Sequence, residues 1–482
     1  MSTRRRYIDL PNHARRDFIK WSVGIGAALG LQPWKVFEVQ ESILGPAHAD
    51  TASSLAALRS VHIVAGNGGL AWFTQLFPFY EICADTTNAD VSFYQPGTFT
   101  EQAVDPKKGD QPLRLGPDAP AALAKYGKKM AVYTVGNNET HTNAPTSAST
   151  VGSNVALFAA SAAIQTAQPT LVPAIAVGTL PFGAASGAPA LASVPNAQSV
   201  AGLFKSVAAS AGNALEKPQN AALFEAYFKA NIALQKAAAR PTQSQTLLTA
   251  NAAAHLLGKQ LDLTPTAADL MRYGVDDATL GSVGAMNNKG KLVNIATTLI
   301  QAHKAFLQNL TSMIMLPAMN DDPHGAFGDM GTLNGTVKTL GAILNAFLED
   351  ANTTSDPLDS ARKIGDNLVI TITGDTCKNP NNRQGWGDGT PDSSNLLIAY
   401  DGSGRLSGGS FGGVKADGST TGFTPGTGAV IPTATAADHK SAAAPSCAAV
   451  LTALAKGDTR RVGDFYQGDS YTGLLNPQLT GI

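Results

Sequence analysis

The chain has 482 residues, enough for a large hydrophobic core and for one or two domains. Charged residues make up only 15% and the formal net charge is -1. Nucleic acid requires clustered basic side chains, so we expect no nucleic-acid partner. The three cysteines, Cys83, Cys377 and Cys447, form no CxxC pair, which excludes a zinc ribbon and allows at most one intramolecular disulfide.

The N-terminal segment has the features of an export signal. Arg15 and Arg16 are followed by Asp17, Phe18, Ile19 and Lys20, an order that resembles the twin-arginine motif. The apolar stretch 21–31 is shorter than the ~20 residues of a membrane span, and Ala47-His48-Ala49 supplies small residues for a signal peptidase. We therefore expect residues 1–49 to be a signal peptide cleaved after Ala49, with the twin-arginine translocase as partner. An uncleaved N-terminal anchor is the alternative.

We expect the mature chain to be periplasmic or secreted, without a transmembrane span, since no second apolar stretch reaches 18 residues. Residues 50–482 are predicted to form one α/β domain. Its early strands are 61–65, which ends in the glycine turn GNGG, and 130–135, which is followed by GNNETHTN. The Ala-rich segment 155–260 is predicted to be a helical insertion or cap.

The later elements alternate between helix and strand. Helices are predicted at 221–239, 292–310, 330–348 and 446–456, and strands at 313–319, 368–373 and 395–400. The Gly/Ser/Thr-rich segment 402–435 is predicted to be a long surface loop or hairpin. Apolar residues recur every three or four positions from Met330 to Phe347, which makes that helix the clearest of them. Strand, helix and strand in succession indicate parallel crossovers and an α/β sheet.

Polar or Gly-rich clusters follow four of these strands, at the point where each strand ends. The carboxyl ends of parallel strands gather at one edge of a sheet, where ligands bind. The sequence therefore predicts that the four clusters meet in space. GNGGLAW (66–72) lacks both the dinucleotide spacing and the Walker lysine, and there is no G-x-S-x-G elbow. A nucleotide site and an α/β-hydrolase site are therefore not expected.

Candidate site residues lie in three of these clusters. Asp322 and His324 are two positions apart after a strand and could both bind zinc, manganese or iron. The alternative is a polar loop in which Asp329 caps the next helix. Asp375 follows the strand 368–373, and Asp388 comes thirteen residues later. The two could complete a metal site, or each could be an ordinary turn aspartate.

The cluster after the second strand contains Thr140 and His141. Thr140 could act as a nucleophile beside a metal, and His141 as a general acid or base. The alternative is an ordinary polar turn.

These clusters, in this order, resemble an exported bacterial family known as domain of unknown function 1501, a relative of the alkaline phosphatase and sulfatase superfamily. Thr140-His141 matches the family's S-H position, and Asp322-Pro323-His324 matches its D-T-H motif. Gly374-Asp375-Thr376 stands at the S-E-F position, and Gly387-Asp388-Gly389 at T-D-H. Gly408-Gly409-Ser410-Phe411-Gly412 matches a glycine-rich stretch. The resemblance implies an alkaline-phosphatase-like parallel-sheet sandwich with helices on both faces.

The sequence also departs from the family pattern. Glycines occupy two positions, Gly68 and Gly389, where the related phosphatases carry an aspartate and a histidine as metal ligands. The resemblance therefore implies at most one divalent ion (zinc, manganese or calcium), held by Asp322, His324, Asp375 and Asp388. We expect a degenerate, non-catalytic member with a binding or assembly role. The alternative is a metal-dependent hydrolase of phosphate or sulfate esters, and a cofactor-dependent redox protein is a third possibility that no motif supports.

Overall fold

The computed structural model describes residues 58–67, 113, 115, 119–139, 141–152, 154–166, 168, 170–204, 230, 261–319, 330–375, 391–415 and 417–480. The chain divides into two compact units: residues 1–56 with 207–259, and residues 57–206 with 260–482. Every element below belongs to the second unit.

The described strands form one large sheet and three small ones. They are β1 (Arg59–Ala65), β2 (Met130–Val135), β3 (Thr150–Gly152), β4 (Val155–Ala156), β5 (Ala174–Val177), β6 (Leu191–Val194), β7 (Met313–Pro317), β8 (Ser355–Asp356), β9 (Asp359–Lys363), β10 (Leu368–Gly374), β11 (Asn395–Asp401), β12 (Gly409–Phe411), β13 (Gly413–Val414), β14 (Thr420–Phe423) and β15 (Val430–Ile431). Eight of them make the central sheet, in the order β12-β2-β11-β10-β1-β7-β5-β6.

The central sheet is mostly parallel. β1 pairs in parallel with both β7 and β10, with Val61 opposite Ile314 and Ile370. Only β11 runs the other way, antiparallel to β10 and to β2. β1 and β10 are buried along their whole length, as expected of parallel strands that are covered on both faces. An α/β class with a mostly parallel sheet is thus confirmed.

Helices cover the central sheet on both faces. The described helices are α1 (Leu157–Gln165), α2 (Ala197–Val200), α3 (Ala267–Arg272), α4 (Asp277–Val283), α5 (Lys289–Leu307), α6 (Met330–Thr353), α7 (Ala436–Leu454), α8 (Thr459–Gly463) and α9 (Pro477–Thr480). Short 3₁₀ helices span Ala121–Lys129, Met286–Asn288, Ile364–Asn367, Pro391–Ser393 and Thr472–Leu474. One face packs against α1 and α7 in a core that includes Tyr133, Phe158 and Val450. On the other face, Leu344 of α6 lies by Ile370 of β10.

The structure differs from the predicted helical insertion over residues 155–204. Two short strands of this segment, β5 and β6, belong to the central sheet, and α1 packs on that sheet. The four-residue sequence AIAV of β5 is too short for hydrophobic periodicity to distinguish a strand from a helix. The Ala-rich composition therefore suggested a helix where the structure has a strand. The rest of the segment and the helix predicted at 221–239 lie outside the described residues, apart from residue 230.

Other boundaries were also corrected. The segment 402–435, predicted to be a surface loop or hairpin, contains β12 to β15, of which β13 and β14 pair antiparallel. The last long helix begins at Ala436, not near residue 446. Thr435 and Asp438 form a capping box there, which fixes the helix start ten residues earlier. Among the described helices, none is long and apolar enough to cross a membrane. Cys447 is a buried free thiol whose pKa is raised by burial, and Cys83 and Cys377 lie outside the described residues.

Candidate functional site

Asp375 joins three loops at the carboxyl edge, which we define as the edge of the central sheet where its parallel strands end. It directly follows β10 and is fully buried. Its main-chain N–H donates to the carbonyl oxygen of Ala65 at 3.1 Å, and its own carbonyl accepts the N–H of Glu139 at 2.7 Å. Its carboxylate oxygen Oδ2 accepts the main-chain N–H of Thr142 at 3.1 Å. Asp375 therefore holds the chain after β2 against the ends of β1 and β10.

The loop after β2, residues 136–147, is folded back on itself by Glu139. Its carboxylate accepts the main-chain N–H of Thr146 at 2.8 Å and that of Ser147 at 2.7 Å. Gly136 has a φ of 72°, and a Cβ there would lie 2.7 Å from the carbonyl oxygen of Ser147, so only glycine suits the first position of the loop. These acceptors satisfy main-chain donors that a surface loop would otherwise leave to water.

The end of β1 closes onto the same loop. The main-chain N–H of Asn67 donates to the carbonyl oxygen of Thr142 at 2.7 Å. A Cβ on Gly66 would lie 2.8 Å from that oxygen, so the glycine permits the close approach. Of the predicted glycine turn 66–69, only Gly66 and Asn67 are described.

His141 is an exposed residue in the middle of the 136–147 loop. Its φ of 54° lies in the left-handed region, which is unusual for a residue other than glycine and occurs more often at functional sites. Asp375 and His141, two of the predicted site residues, thus belong to the same edge of the sheet. Thr140, Asp322, His324 and Asp388 lie outside the described residues, as do Asp329, Gly68 and Gly389.

Asn395 connects the amino end of β11 to the same edge. Its Nδ2 donates to the carbonyl oxygen of Gly374 at 2.7 Å and lies 3.3 Å from the hydroxyl of Ser147. Because β11 is antiparallel to its neighbours, it brings its first residue, not its last, to this edge. Asn395 was not among the predicted site residues, since the prediction considered only the carboxyl ends of strands.

A partly buried hydrogen-bonded chain, Asp392–Thr420–His439, lies next to this edge. Oδ2 of Asp392 accepts the Thr420 hydroxyl at 2.6 Å, and Nε2 of His439 is 2.7 Å from that hydroxyl. Nδ1 of His439 is 3.2 Å from the carbonyl oxygen of Thr134, which can only accept, so Nδ1 carries a proton. The Thr420 hydroxyl has a single hydrogen, so it can donate to only one of these two neighbours at a time.

This chain fixes backbone rather than presenting a reactive group. Thr420 and His439 are fully buried, whereas Asp392 is exposed and has a φ of 48° in the left-handed region. Burial lowers the pKa of His439, while the hydrogen bond to the Thr134 carbonyl and the charges of Asp392 and Asp438 raise it. The chain thereby ties the first turn of α7 to β14 and to the segment that enters β11.

Sequence reasoning missed His439, although a signal was present. The sequence T-A-A-D (435–438) is a capping box, with the Thr435 hydroxyl accepting the N–H of Asp438 at 3.3 Å. This pattern places His439 in the first turn of a helix. It does not reveal that the helix begins at the carboxyl edge, where the N–H of Gly136 donates to the carbonyl oxygen of His439 at 2.8 Å.

The described residues do not by themselves amount to a metal site. Within those ranges no three His, Cys, Asp or Glu side chains are grouped as metal ligands. Asp375 is the one predicted ligand among them, and its Oδ2 accepts the N–H of Thr142. A divalent ion requires several oxygen or nitrogen donors that converge on one point.

Comparison with known proteins yields no match: no protein family, no curated protein and no solved structure matches this chain. The resemblance to the phosphatase-related family therefore stays a prediction from its motifs.

Proposed function

We propose that this chain is an exported protein whose carboxyl edge serves binding or assembly, not catalysis. The observation that carries the proposal is the use of the buried carboxylate of Asp375, whose Oδ2 accepts a main-chain N–H from the neighbouring loop. Glu139 serves the same loop in the same way. Carboxylates engaged with main-chain donors set the shape of a surface, which suits recognition of a partner. The twin-arginine signal and a periplasmic or secreted location are part of this proposal.

The finer fold assignment is also a proposal. A mostly parallel sheet with helices on both faces is compatible with an alkaline-phosphatase-like domain. The order of motifs from 61–70 to 408–412 supports that assignment. The glycines at positions 68 and 389, where related enzymes carry metal ligands, favour a degenerate member over a two-metal enzyme.

The second candidate is a metal-dependent hydrolase of phosphate or sulfate esters. It is favoured by the meeting of Asp375 and the left-handed His141 at one edge of the sheet. In this function Asp322, His324, Asp375 and Asp388 would be the ligands of one zinc, manganese or calcium ion. Thr140 or a water molecule would be the nucleophile, and His141 the general acid or base.

Metal analysis combined with an activity assay separates the two candidates. The purified protein would be analysed for bound metals by mass spectrometry and then assayed with aryl phosphate and aryl sulfate esters, with zinc, manganese or calcium added. The binding proposal expects no stoichiometric metal and no turnover. Tightly bound metal that is lost in His324→Ala, together with turnover, would contradict it and establish the hydrolase.

Two substitutions at Asp375 test its role in shaping the edge. Asp375→Asn keeps an oxygen that can accept the N–H of Thr142, whereas Asp375→Ala removes it. We expect Asp375→Ala to lower the stability by about 1–3 kcal/mol, because the partly buried N–H of Thr142 loses its acceptor, and Asp375→Asn to lower it less. Thermal unfolding measures both variants. If the two variants lose the same stability, the negative charge of Asp375 stabilises the edge and its role as a hydrogen-bond acceptor does not.

A further inference from the structure

The hydrogen-bonded chain that ends at His439 contacts the 136–147 loop at both of its ends. The carbonyl oxygen of His439 accepts the main-chain N–H of Gly136 at 2.8 Å. At the other end, Ser393 directly follows the aspartate of the chain, and its carbonyl oxygen accepts the main-chain N–H of Asn138 at 2.9 Å. A change within the chain therefore reaches this loop of the carboxyl edge from two sides.

The Thr420 hydroxyl lies between two groups that compete for its hydrogen. Its oxygen is 2.6 Å from Oδ2 of Asp392 and 2.7 Å from Nε2 of His439. Nδ1 of His439 faces the carbonyl oxygen of Thr134, so a neutral ring carries its hydrogen on Nδ1 and accepts at Nε2. The hydroxyl hydrogen then points to Nε2. The contact of 2.6 Å with an ionised Asp392 is left without a hydrogen.

A proton taken up from solvent by the ring of His439 reverses this arrangement. An imidazolium donates from both nitrogens, so Nε2 donates to the Thr420 oxygen and the hydroxyl hydrogen turns to Oδ2 of Asp392. Each contact then contains one hydrogen, and no other bond changes. A separation of 2.6 Å is typical of a hydroxyl that donates to a carboxylate. The same Oδ2 also accepts the main-chain N–H of Thr420 at 3.0 Å.

Two carboxylates act on the ring of His439. They are Asp392, from the segment before β11, and Asp438, its neighbour in α7. Among the other described elements, β2 and β14 hydrogen-bond to the ring through Thr134 and Thr420, neither of which titrates. Burial lowers the pKa of His439 from its usual 6.5, while the hydrogen bond to Thr134 and the two carboxylates oppose that shift. The ring therefore gains its proton at a lower pH than an exposed histidine does.

We propose that His439 is a proton switch for the carboxyl edge. In the protonated state the Thr420 hydroxyl holds the carboxylate of Asp392, which fixes the segment before β11 to α7. In the neutral state the hydroxyl turns to His439, and Asp392 keeps only the main-chain N–H of Thr420. The 136–147 loop, which is bonded to both ends of the chain, is thus held more tightly in mild acid than at neutral pH. The switch acts on the edge itself, whether that edge binds a partner or a metal ion.

Hydrogen exchange at the Thr420 amide tests the switch, because this N–H donates to Asp392. Exchange in the full-length protein would be measured by mass spectrometry with fragmentation to single amides, between about pH 7.5 and 4.5. Dividing by the intrinsic exchange rate at each pH gives the protection. We expect protection of this amide to rise at least about tenfold as the pH falls, because a charge-assisted hydrogen bond is gained. Constant protection over this range would overturn the proposal.

Two substitutions at Thr420 isolate the hydroxyl. Thr420→Val keeps the main-chain N–H and the branched shape but removes the hydroxyl, so its amide should show no such rise. Thr420→Ser is the matched control, since it keeps the hydroxyl and should keep the rise. A rise in Thr420→Val equal to that of the wild type would contradict the proposed role of the hydroxyl.

Nitrogen NMR of the full-length protein labelled at histidine observes the ring directly and needs no variant. We expect Nδ1 of His439 to carry a hydrogen throughout, and Nε2 to gain one over the pH range in which the exchange changes. Asp392→Asn should shift this transition to lower pH, because it removes a charge that favours the imidazolium. Asp464→Asn, at an exposed position, should leave it unchanged. An Nε2 that stays unprotonated, or equal transitions in the wild type and Asp392→Asn, would refute the switch.

Discussion

Arg59 begins the central strand β1 and carries a charge into the core. Its side chain is fully buried, and its two terminal nitrogens donate to the carboxylate of Asp356. Nδ2 of Asn367 donates to the same carboxylate at 3.1 Å. Burial lowers the pKa of Arg59, and the charge and hydrogen bonds of Asp356 oppose that shift. The pair fixes the hairpin β8–β9 to the start of β1.

Breaking this pair should be costly. We expect Asp356→Asn to destabilise the protein by about 3–5 kcal/mol, because it leaves the buried guanidinium of Arg59 without a counter-charge. Urea unfolding followed by circular dichroism measures the change. Asp359→Asn is the control, since it removes the more exposed pair with Arg362 and should cost less than about 1 kcal/mol. Similar losses in the two variants would contradict the argument.

His62 is a second buried ionisable residue of β1. Its Nδ1 is 2.7 Å from the hydroxyl of Thr371, and its ring packs edge-on against Phe158 at 5.1 Å. Among the described residues, no group hydrogen-bonds to its Nε2. Burial lowers the pKa of His62 to about 3, so the ring stays neutral in the folded protein at mildly acidic pH.

This lowered pKa predicts a pH-dependent loss of stability. Below a pH of about 6.5 the unfolded chain binds a proton at His62, whereas the folded protein does not until about pH 3. The stability that is present above pH 6.5 is therefore lost as the pH falls, by up to about 1.4 kcal/mol per pH unit. Urea unfolding of the wild type and of His62→Gln between pH 7 and 5 measures this. Equal pH slopes for the two proteins would contradict the prediction.

At the scale of elements, α6 is anchored by the helices that pack on it. The hydroxyl of Tyr273 donates to Asp350 at 2.8 Å, and Arg272 forms an ion pair with the same carboxylate. At the other end of α6, Gly335 faces the end of α4, where an added Cβ would overlap the carbonyl oxygen of Val283. The absence of a side chain at Gly335 therefore sets how closely α4 approaches α6.

Gly335→Ala should destabilise the protein, although alanine favours a helix more than glycine does. We expect a loss of about 1–3 kcal/mol, since the new methyl group forces the two helices apart. Gly281→Ala, inside α4, is the control, because no atom lies within 4 Å of a Cβ there. That variant should be more stable by up to about 1 kcal/mol. Thermal unfolding of both variants checks the opposite signs, and two gains in stability would refute the packing argument.

The elements also show how far sequence patterns extend. The three- and four-residue spacing from Met330 to Phe347 predicted α6, which runs from Met330 to Thr353. The same reasoning failed for β5 and β6, because a four-residue apolar strand has no period to detect. For β12 to β15, glycine and threonine suggested a surface loop or hairpin. The antiparallel pair β13–β14 agrees with the hairpin, but the bounds of the strands were not predicted. A long periodic helix can be recognised from its sequence alone, whereas a short strand forms only through the strands with which it pairs.

At the scale of the whole molecule, the proposed twin-arginine export signal is the simplest feature to test. We expect the wild-type protein to be exported and to begin at Asp50 after cleavage. Replacing Arg15 and Arg16 together by lysine should leave it uncleaved in the cytoplasm, because the paired arginines are what the translocase is expected to recognise. Cell fractionation and intact-mass measurement check both expectations. The same replacement of Arg4 and Arg5 is the control and should not affect export.

The sheet itself is a whole-molecule feature that joins distant parts of the chain. His62 pairs with Thr371, 309 positions later, and β2 lies between β11 and β12. The sequence predicted that Asp375 and the 136–147 loop would meet, because both follow strands whose carboxyl ends share an edge. It did not predict that the Asp375 carboxylate would accept the N–H of Thr142. It also did not predict that β11 would run antiparallel to β10.

By itself, the sequence determined the α/β class, the position of the long helix α6 and the strands that form the centre of the sheet. These follow from hydrophobic periodicity and from apolar runs, which are local properties of the chain. Only the tertiary structure decided the strand order and the Asp392–Thr420–His439 chain. Each of these depends on contacts between residues far apart in sequence, and no local pattern encodes which distant side chains become neighbours.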